Sequence, residues 1–115
     1  MRNIGTLKIA GATGAATSSE FINNACDLCT LQIYGTATAL KVQVQGMVDI
    51  DANAWVSIAS YDKGDLEVQD GTGGMTAAGI FTVDIAGIQK LRLNVASVSG
   101  GNVSVTAMFV DTTSN

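Results

Sequence analysis

Three short stretches carry residue types that perform chemistry in other settings. Cys26-Asp27-Leu28-Cys29 is a CxxC, and Asp49-Ile50-Asp51-Ala52-Asn53 places three oxygen-bearing side chains at alternate positions. Lys8-Ile9-Ala10-Gly11-Ala12-Thr13-Gly14 runs from an apolar pair into a glycine loop. Each lacks its partners. Zinc takes four ligands, and a chain with 2 cysteines and no histidine cannot close such a site by itself. A redox dithiol needs a helix N-terminus in a βαβ setting, and no helical pattern follows. Free thiols, buried or half-buried, are the expectation for Cys26 and Cys29, with a disulfide left open. The aspartate loop copies the first ligands of an EF-hand, but its sixth position is Ala54 rather than glycine and its twelfth is Ser60 rather than glutamate. Calcium at Asp49, Asp51 and Asn53 therefore stays open, and no metal is assigned. The glycine loop has Thr17 where a dinucleotide fold needs its third glycine, and no second βα unit exists. No cofactor is expected.

Missing histidine removes the commonest general base, so the serines and threonines have nothing to activate them. No pair of carboxylates stands out for glycoside hydrolysis. Catalytic, cofactor-binding and metal-ligating residues are accordingly expected to be none, and the protein is not expected to be an enzyme. Trp55, Tyr34 and Tyr61 could present aromatic faces to a sugar. With only 6 aromatics in the chain, however, a small β fold needs most of them in its core or an interface.

A net charge of −4, with only 6 scattered basic residues, speaks against nucleic acid. No apolar run approaches the roughly 18 residues of a membrane helix, so no membrane partner is expected. The opening Met1-Arg2-Asn3-Ile4-Gly5-Thr6 lacks the apolar core of a secretory signal, so Sec export is not expected. Asp62, Asp65, Glu67 and Asp70 read as a solvated loop or edge strand.

Those residues must be positioned by short strands. At 115 residues the chain is one domain, long enough to bury roughly 65% of its unfolded surface. Leu7 and Ile9 alternate with polar neighbours, as do Cys29, Leu31 and Ile33. Between 40 and 48, Leu40, Val42, Val44, Gly46 and Val48 are read as facing in, with Lys41, Gln43, Gln45 and Met47 facing out. Further strands are read at 55–59, around Leu66 and Val68, and at 79–85. The clearest pattern comes last: Leu91, Leu93 and Val95, then Ser99-Gly100-Gly101-Asn102, then Val103, Val105, Ala107 and Phe109. Alternation on both sides of a glycine pair predicts an antiparallel hairpin. Parity sets Val95 opposite Val105, Leu93 opposite Ala107 and Leu91 opposite Phe109, with a bulge at Gly101. Seven to nine short strands with turns every 8–12 residues or so predict an all-β, single-domain antiparallel β-sandwich, jelly-roll or Ig-like. Residues 1–18 are read as an N-terminal arm or first strand plus loop, and residues 19–115 as the sandwich. A turn of helix has its only opening at 13–25.

Several stretches together resemble the small all-β virion proteins of tailed bacteriophages. They are Leu31-Gln32-Ile33-Tyr34-Gly35-Thr36, Val42-Gln43-Val44-Gln45-Gly46, Ala54-Trp55-Val56-Ser57-Ile58-Ala59, Gly79-Ile80-Phe81-Thr82-Val83-Asp84-Ile85-Ala86-Gly87, Leu91-Arg92-Leu93-Asn94-Val95 and Val98-Ser99-Gly100-Gly101-Asn102-Val103-Ser104-Val105. The likeness spans residues 28–110. It implies a structural protein of the virion, made in the host cytoplasm, that decorates the capsid surface. Its partners would be the major capsid protein and further copies of itself as a homo-oligomer. A tail, baseplate or fibre module binding host-surface carbohydrate is the alternative. A decoration role has no diagnostic motif, so no functional residue is carried over. Partner contacts are expected on the arm (Ile4, Leu7, Ile9) and the 49–54 and 62–76 loops, with Trp55, Tyr61 and Met75.

Overall fold

A computed structural model describes residues 2–113. The strands are β1 (Arg2–Ala12), β2 (Ala16–Thr17), β3 (Phe21–Ile22), β4 (Leu28–Gly35), β5 (Ala39–Met47), β6 (Val56–Ile58), β7 (Ser60–Asp62), β8 (Val68–Gln69), β9 (Gly79–Asp84), β10 (Lys90–Ser99) and β11 (Val103–Asp111). They form two antiparallel sheets, one ordered β1-β11-β4-β9-β7-β8 and the other β2-β10-β5-β6, with β3 also pairing β10. The all-β sandwich is as expected. Its 11 strands exceed the seven to nine anticipated because three of them are two-residue pieces that leave no periodic signal. No helix occurs at 13–25, where β2 and β3 lie. Among the described residues, no helix is long and apolar enough to cross a membrane.

The terminal hairpin does not form. β10 pairs β5, β2 and β3 in the smaller sheet, whereas β11 pairs β1 and β4 in the larger. Leu93 lies opposite Val44, and Ala107 opposite Leu7 and Leu31. The facing assignments nonetheless hold: Leu91, Leu93, Val95, Val103, Val105, Ala107 and Phe109 are all fully buried. Two strands whose apolar faces point at each other across a sandwich show the same alternation as two strands side by side. Burial parity therefore cannot distinguish an arch from a hairpin.

The arch is held by its neighbour. β4 also leaves the larger sheet for the smaller through residues 36–38, and the two crossings are bonded together. Thr36 and Ala37 donate backbone N–H groups to the Asn102 carbonyl at 3.0 and 2.9 Å, and Thr38 donates to the Ser99 carbonyl at 3.0 Å. Gly100 sits at φ 73°, where a side chain is disfavoured, and a Cβ there would lie 3.0 Å from the Thr38 Cβ. Both the backbone angle and the close approach require glycine.

The core fills the space between the sheets with Leu31, Ile33, Val42, Val44, Phe81, Val83 and the seven residues above. At one end Phe21 stacks on Phe109 with centroids 4.3 Å apart and planes 10° from parallel. Gly5, paired with Phe109, admits that ring, since a Cβ would stand 3.1 Å from the Phe21 Cδ1 and closer still to Cε1. Residues 2–12 are thus a strand of the main sheet and not a separate arm: Leu7 and Ile9 pack into the common core.

One facing assignment at the end of β5 changes: Val48 is exposed because the strand ends at Met47 and the chain turns away. Met47 is buried although its register with Lys90 keeps it on the outer face, as read. Gln43 is buried as well, although it points outward. The 70–75 loop folds over it, and its Nε2 donates to the Thr72 carbonyl at 3.0 Å. Met75 extends this cover by a two-way backbone bridge to Val42.

Candidate functional site

Paired strands put outward residues in register, and on the smaller sheet this builds a ladder of polar side chains. Asn94 lies opposite Gln43, Arg92 opposite Gln45, and Gln45 opposite Ser57. Asn94 Nδ2 donates to Gln43 Oε1 at 2.9 Å, and Arg92 Nε donates to Gln45 Oε1 at 2.8 Å. Gln45 Nε2 in turn donates to Ser57 Oγ at 3.4 Å. Trp55 immediately precedes β6 and brings its ring beneath the Arg92 guanidinium, 4.2 Å from the ring centroid. Lys90 stands 6.0 Å from the same centroid and pairs with Glu20 at 3.0 Å. Arg92 has no carboxylate partner among the described residues. Trp55 and Arg92 are both half-buried, so the pair is partly open to solvent. No clustering of three or more histidine, cysteine, aspartate or glutamate side chains that could hold a metal occurs among the described residues.

The six expected contact residues do not converge. Leu7 and Ile9 are 7% and 8% exposed and Met75 only 1%, so all three belong to the interior rather than to a partner surface. Ile4 is exposed on the edge strand β1. Tyr61 and Tyr34 point outward from the larger sheet, and Trp55 lies against the outer face of the smaller one. A single sugar platform built from these three aromatics is ruled out because the sandwich separates them.

The aspartate motifs act as turn braces. Asp49 accepts from the Asp51 N–H, Asp62 from Gly64, Asp65 from Glu67 and Asp70 from Thr72, each through its own carboxylate two residues back. Cys26 and Cys29 are free and buried, with no disulfide. Burial, with Cys26 beside it, pushes the Cys29 thiol up to about 12. Burial, and then the nearby Asp111 and Asp27 charges, raises Cys26 too. Such thiols stay protonated and unreactive at neutral pH.

Asn23 went unnoticed in the sequence, which offers only an isolated asparagine in a polar loop. It is buried, and its Nδ2 donates to the carbonyls of Cys26 at 3.0 Å and Ile88 at 2.8 Å, with a longer approach to Ile85 at 3.4 Å. Its Oδ1 accepts from the Cys26 N–H at 2.8 Å. It lines an open hollow of about 260 Å³ between residues 23–27 and 86–89, but every polar atom it brings is already engaged.

Beside that hollow the chain end is latched. Asp27 accepts from the Thr112 hydroxyl and, at 2.8 Å, from the Thr112 N–H. These bonds lower the Asp27 pKa below its ordinary 3.8, led by the Thr112 hydroxyl. A carboxylate whose folded pKa is depressed stabilises the fold above its unfolded pKa, and that contribution disappears as pH falls through the folded value. Protection of the Thr112 amide against hydrogen exchange, measured relative to its intrinsic rate, is therefore expected to fall on acidification below about pH 4. Protection that does not fall with pH in the wild type, or that falls as far in Asp27→Asn, which has no carboxylate to titrate, would contradict the latch.

Fold and site together define a small two-sheet β module that displays polar and aromatic chemistry on sheet faces. The chain belongs to the XepA family, whose sequence profile matches residues 6–108. Its fold is similar to that of the SPBc2 prophage-derived protein YomS, with a TM-score of 0.72 at 18% identity, covering 92% of this chain and 94% of that one. It is similar as well to the PBSX exported protein XepA, with a TM-score of 0.74 at 20% identity over 91% of this chain. There it spans only 37% of the larger protein. No match is found among curated protein sequences.

Proposed function

We propose that the protein is a non-enzymatic structural component of a phage particle that decorates the head shell by binding the major capsid protein. The observation that carries this reading is the outer face of the larger sheet. One row of side chains, Thr6, Met108, Thr30, Thr82, Tyr61 and Val68, runs in register across all six strands. At a strand spacing of about 4.8 Å the row extends roughly 24 Å. Tyr34, Tyr61, Ile80 and Met108 are 39–47% exposed on this face. Low charge with tyrosine and methionine is the chemistry of protein interfaces, where charged residues are depleted. Docking it would bury apolar area that the shell alone leaves open and so stabilise the assembled state by mass action. The family relation to phage proteins supports the particle setting, and the same face could join copies of this chain into a homo-oligomer.

The purified protein is expected to co-sediment with expanded capsids that lack it. A Tyr61→Lys/Met108→Lys variant, altered only in outward positions of one row, should lose this binding while melting normally. Failure of the wild type to co-sediment counts directly against capsid decoration.

A second reading has its own observation. The Trp55–Arg92 ladder on the opposite face suits carbohydrate, since an aromatic ring can stack on a sugar and carboxamides can exchange hydrogen bonds with its hydroxyls. It corresponds to a tail, baseplate or fibre module that attaches to the host surface.

A further inference from the structure

We propose that the Trp55–Arg92 ladder is a binding site for an anionic glycan, one whose sugar units carry phosphate or carboxylate groups. The inference rests on the carbohydrate reading of this face and adds the charge of the ligand.

The guanidinium is held from two sides without being neutralised. Gln45 Oε1 fixes Nε at 2.8 Å, and the Trp55 ring lies 4.2 Å beneath the guanidinium carbon. Its terminal nitrogens have no hydrogen-bond acceptor and no carboxylate among the described residues. In a chain of net charge −4 this cation is left uncompensated, whereas its neighbour Lys90 is paired with Glu20. A planar fork that presents free N–H donors suits a carboxylate or phosphate in two-point contact. Because the arginine is already oriented, little side-chain entropy remains to be lost on binding.

The rungs beside it are oriented as well. Gln43 is turned by the Thr72 carbonyl so that its Oε1 accepts from Asn94 Nδ2. That leaves Asn94 Oδ1 as an acceptor with no donor among the described residues, two residues along β10 from Arg92. Side chains two residues apart on one strand stand roughly 7 Å apart on one face. A guanidinium for the anion, an amide oxygen for a hydroxyl and a partly open indole for a ring face thus occur within one or two sugar lengths. A cation–π pair that served only to cover the sheet would need neither the free fork nor the oriented amides.

Titration calorimetry with four probes tests the assignment: polygalacturonate and a phosphomannan as anionic glycans, dextran as a neutral glycan, and inorganic polyphosphate as an anion without sugar. Both anionic glycans are expected to bind at least about tenfold more tightly than dextran or polyphosphate, and less tightly as salt is raised. Arg92→Gln and Trp55→Leu should each weaken that binding on the order of tenfold, the loss of one charge-assisted contact or one aromatic face. Arg92→Lys, which keeps the charge but not the fork, should restore only part of it. Both positions lie outside the buried core, and Trp55→Leu retains an apolar side chain, so unchanged melting identifies a folded variant. Equal affinity for dextran would overturn the anionic assignment and leave the carbohydrate reading standing. Polyphosphate binding as tight as polygalacturonate would overturn it in favour of a simple anion site. No binding of any glycan would overturn both readings together.

Discussion

Phe109→Ala is expected to cost about 3–5 kcal/mol of folding stability, read as a lowered denaturation midpoint with an unchanged slope. The ring is fully buried and stacks on Phe21 over the gap that Gly5 provides. It is also where three segments meet, because Phe109 pairs Gly5 on one side and Cys29 on the other while Phe21 pairs Leu91 of the opposite sheet. Removing it leaves a cavity bordered by backbone that two ladders hold in place, so little collapse can offset the lost contacts. Against a typical total of about 5–15 kcal/mol, that loss brings the variant close to unfolding. Phe21→Leu, at a half-buried site, should cost markedly less. Equal losses at both positions would show that the stack matters more than the depth of burial. A loss under about 1 kcal/mol for Phe109→Ala would contradict the packing described.

Asn23→Ala is the second large effect, expected at about 2–4 kcal/mol from several buried backbone groups deprived of partners at roughly 1–3 kcal/mol each. The side chain joins the loop entering β4 to the turn between β9 and β10, two places where the chain passes from one sheet to the other. Asn23 also donates its own N–H to the Gln89 carbonyl at 2.9 Å, a bond the alanine would keep. Asn23→Asp provides a signed control. Its carboxylate would face the Cys26 and Ile88 carbonyls without a donor, which raises its folded pKa. The variant should therefore be less stable relative to wild type at pH 7 than near pH 4, where protonation returns one donor. A pH-independent difference between the two proteins would count against the geometry.

The two crossing sites explain why the termini of β4 and β10 carry so much of the fold. At one end Asn23 ties the 23–27 loop to the 85–89 turn, and at the other the 36–38 and 99–102 turns are bonded to each other. Both pairs are long-range in sequence. Neither an asparagine nor a Gly-Gly signals its distant partner, so the sequence could suggest turns there without saying what they touched.

Candidate residues were legible in the same uneven way. Trp55 stood out by its rarity, and it does sit on an outer face. Its proper companions were Arg92 and Gln45, which are 37 and 10 residues away, and not the tyrosines that share its chemistry. Leu7, Ile9 and Met75 were expected at a partner surface because the segments around them looked loose. Small and polar neighbours do not make a strand loose if its edge is paired, and β1 is paired to β11 through most of its length.

By itself the sequence determined the all-β class, the positions of most longer strands and which residues of β4, β10 and β11 face the core. These follow from a period of two, a local property that every strand must satisfy whatever its neighbour. Only the tertiary structure decided that β10 and β11 lie in different sheets, that β1 is a core strand, and that Trp55 meets Arg92. Those outcomes depend on which distant strand supplies the missing hydrogen bonds, and alternation is blind to that choice because an arch and a hairpin bury the same side chains.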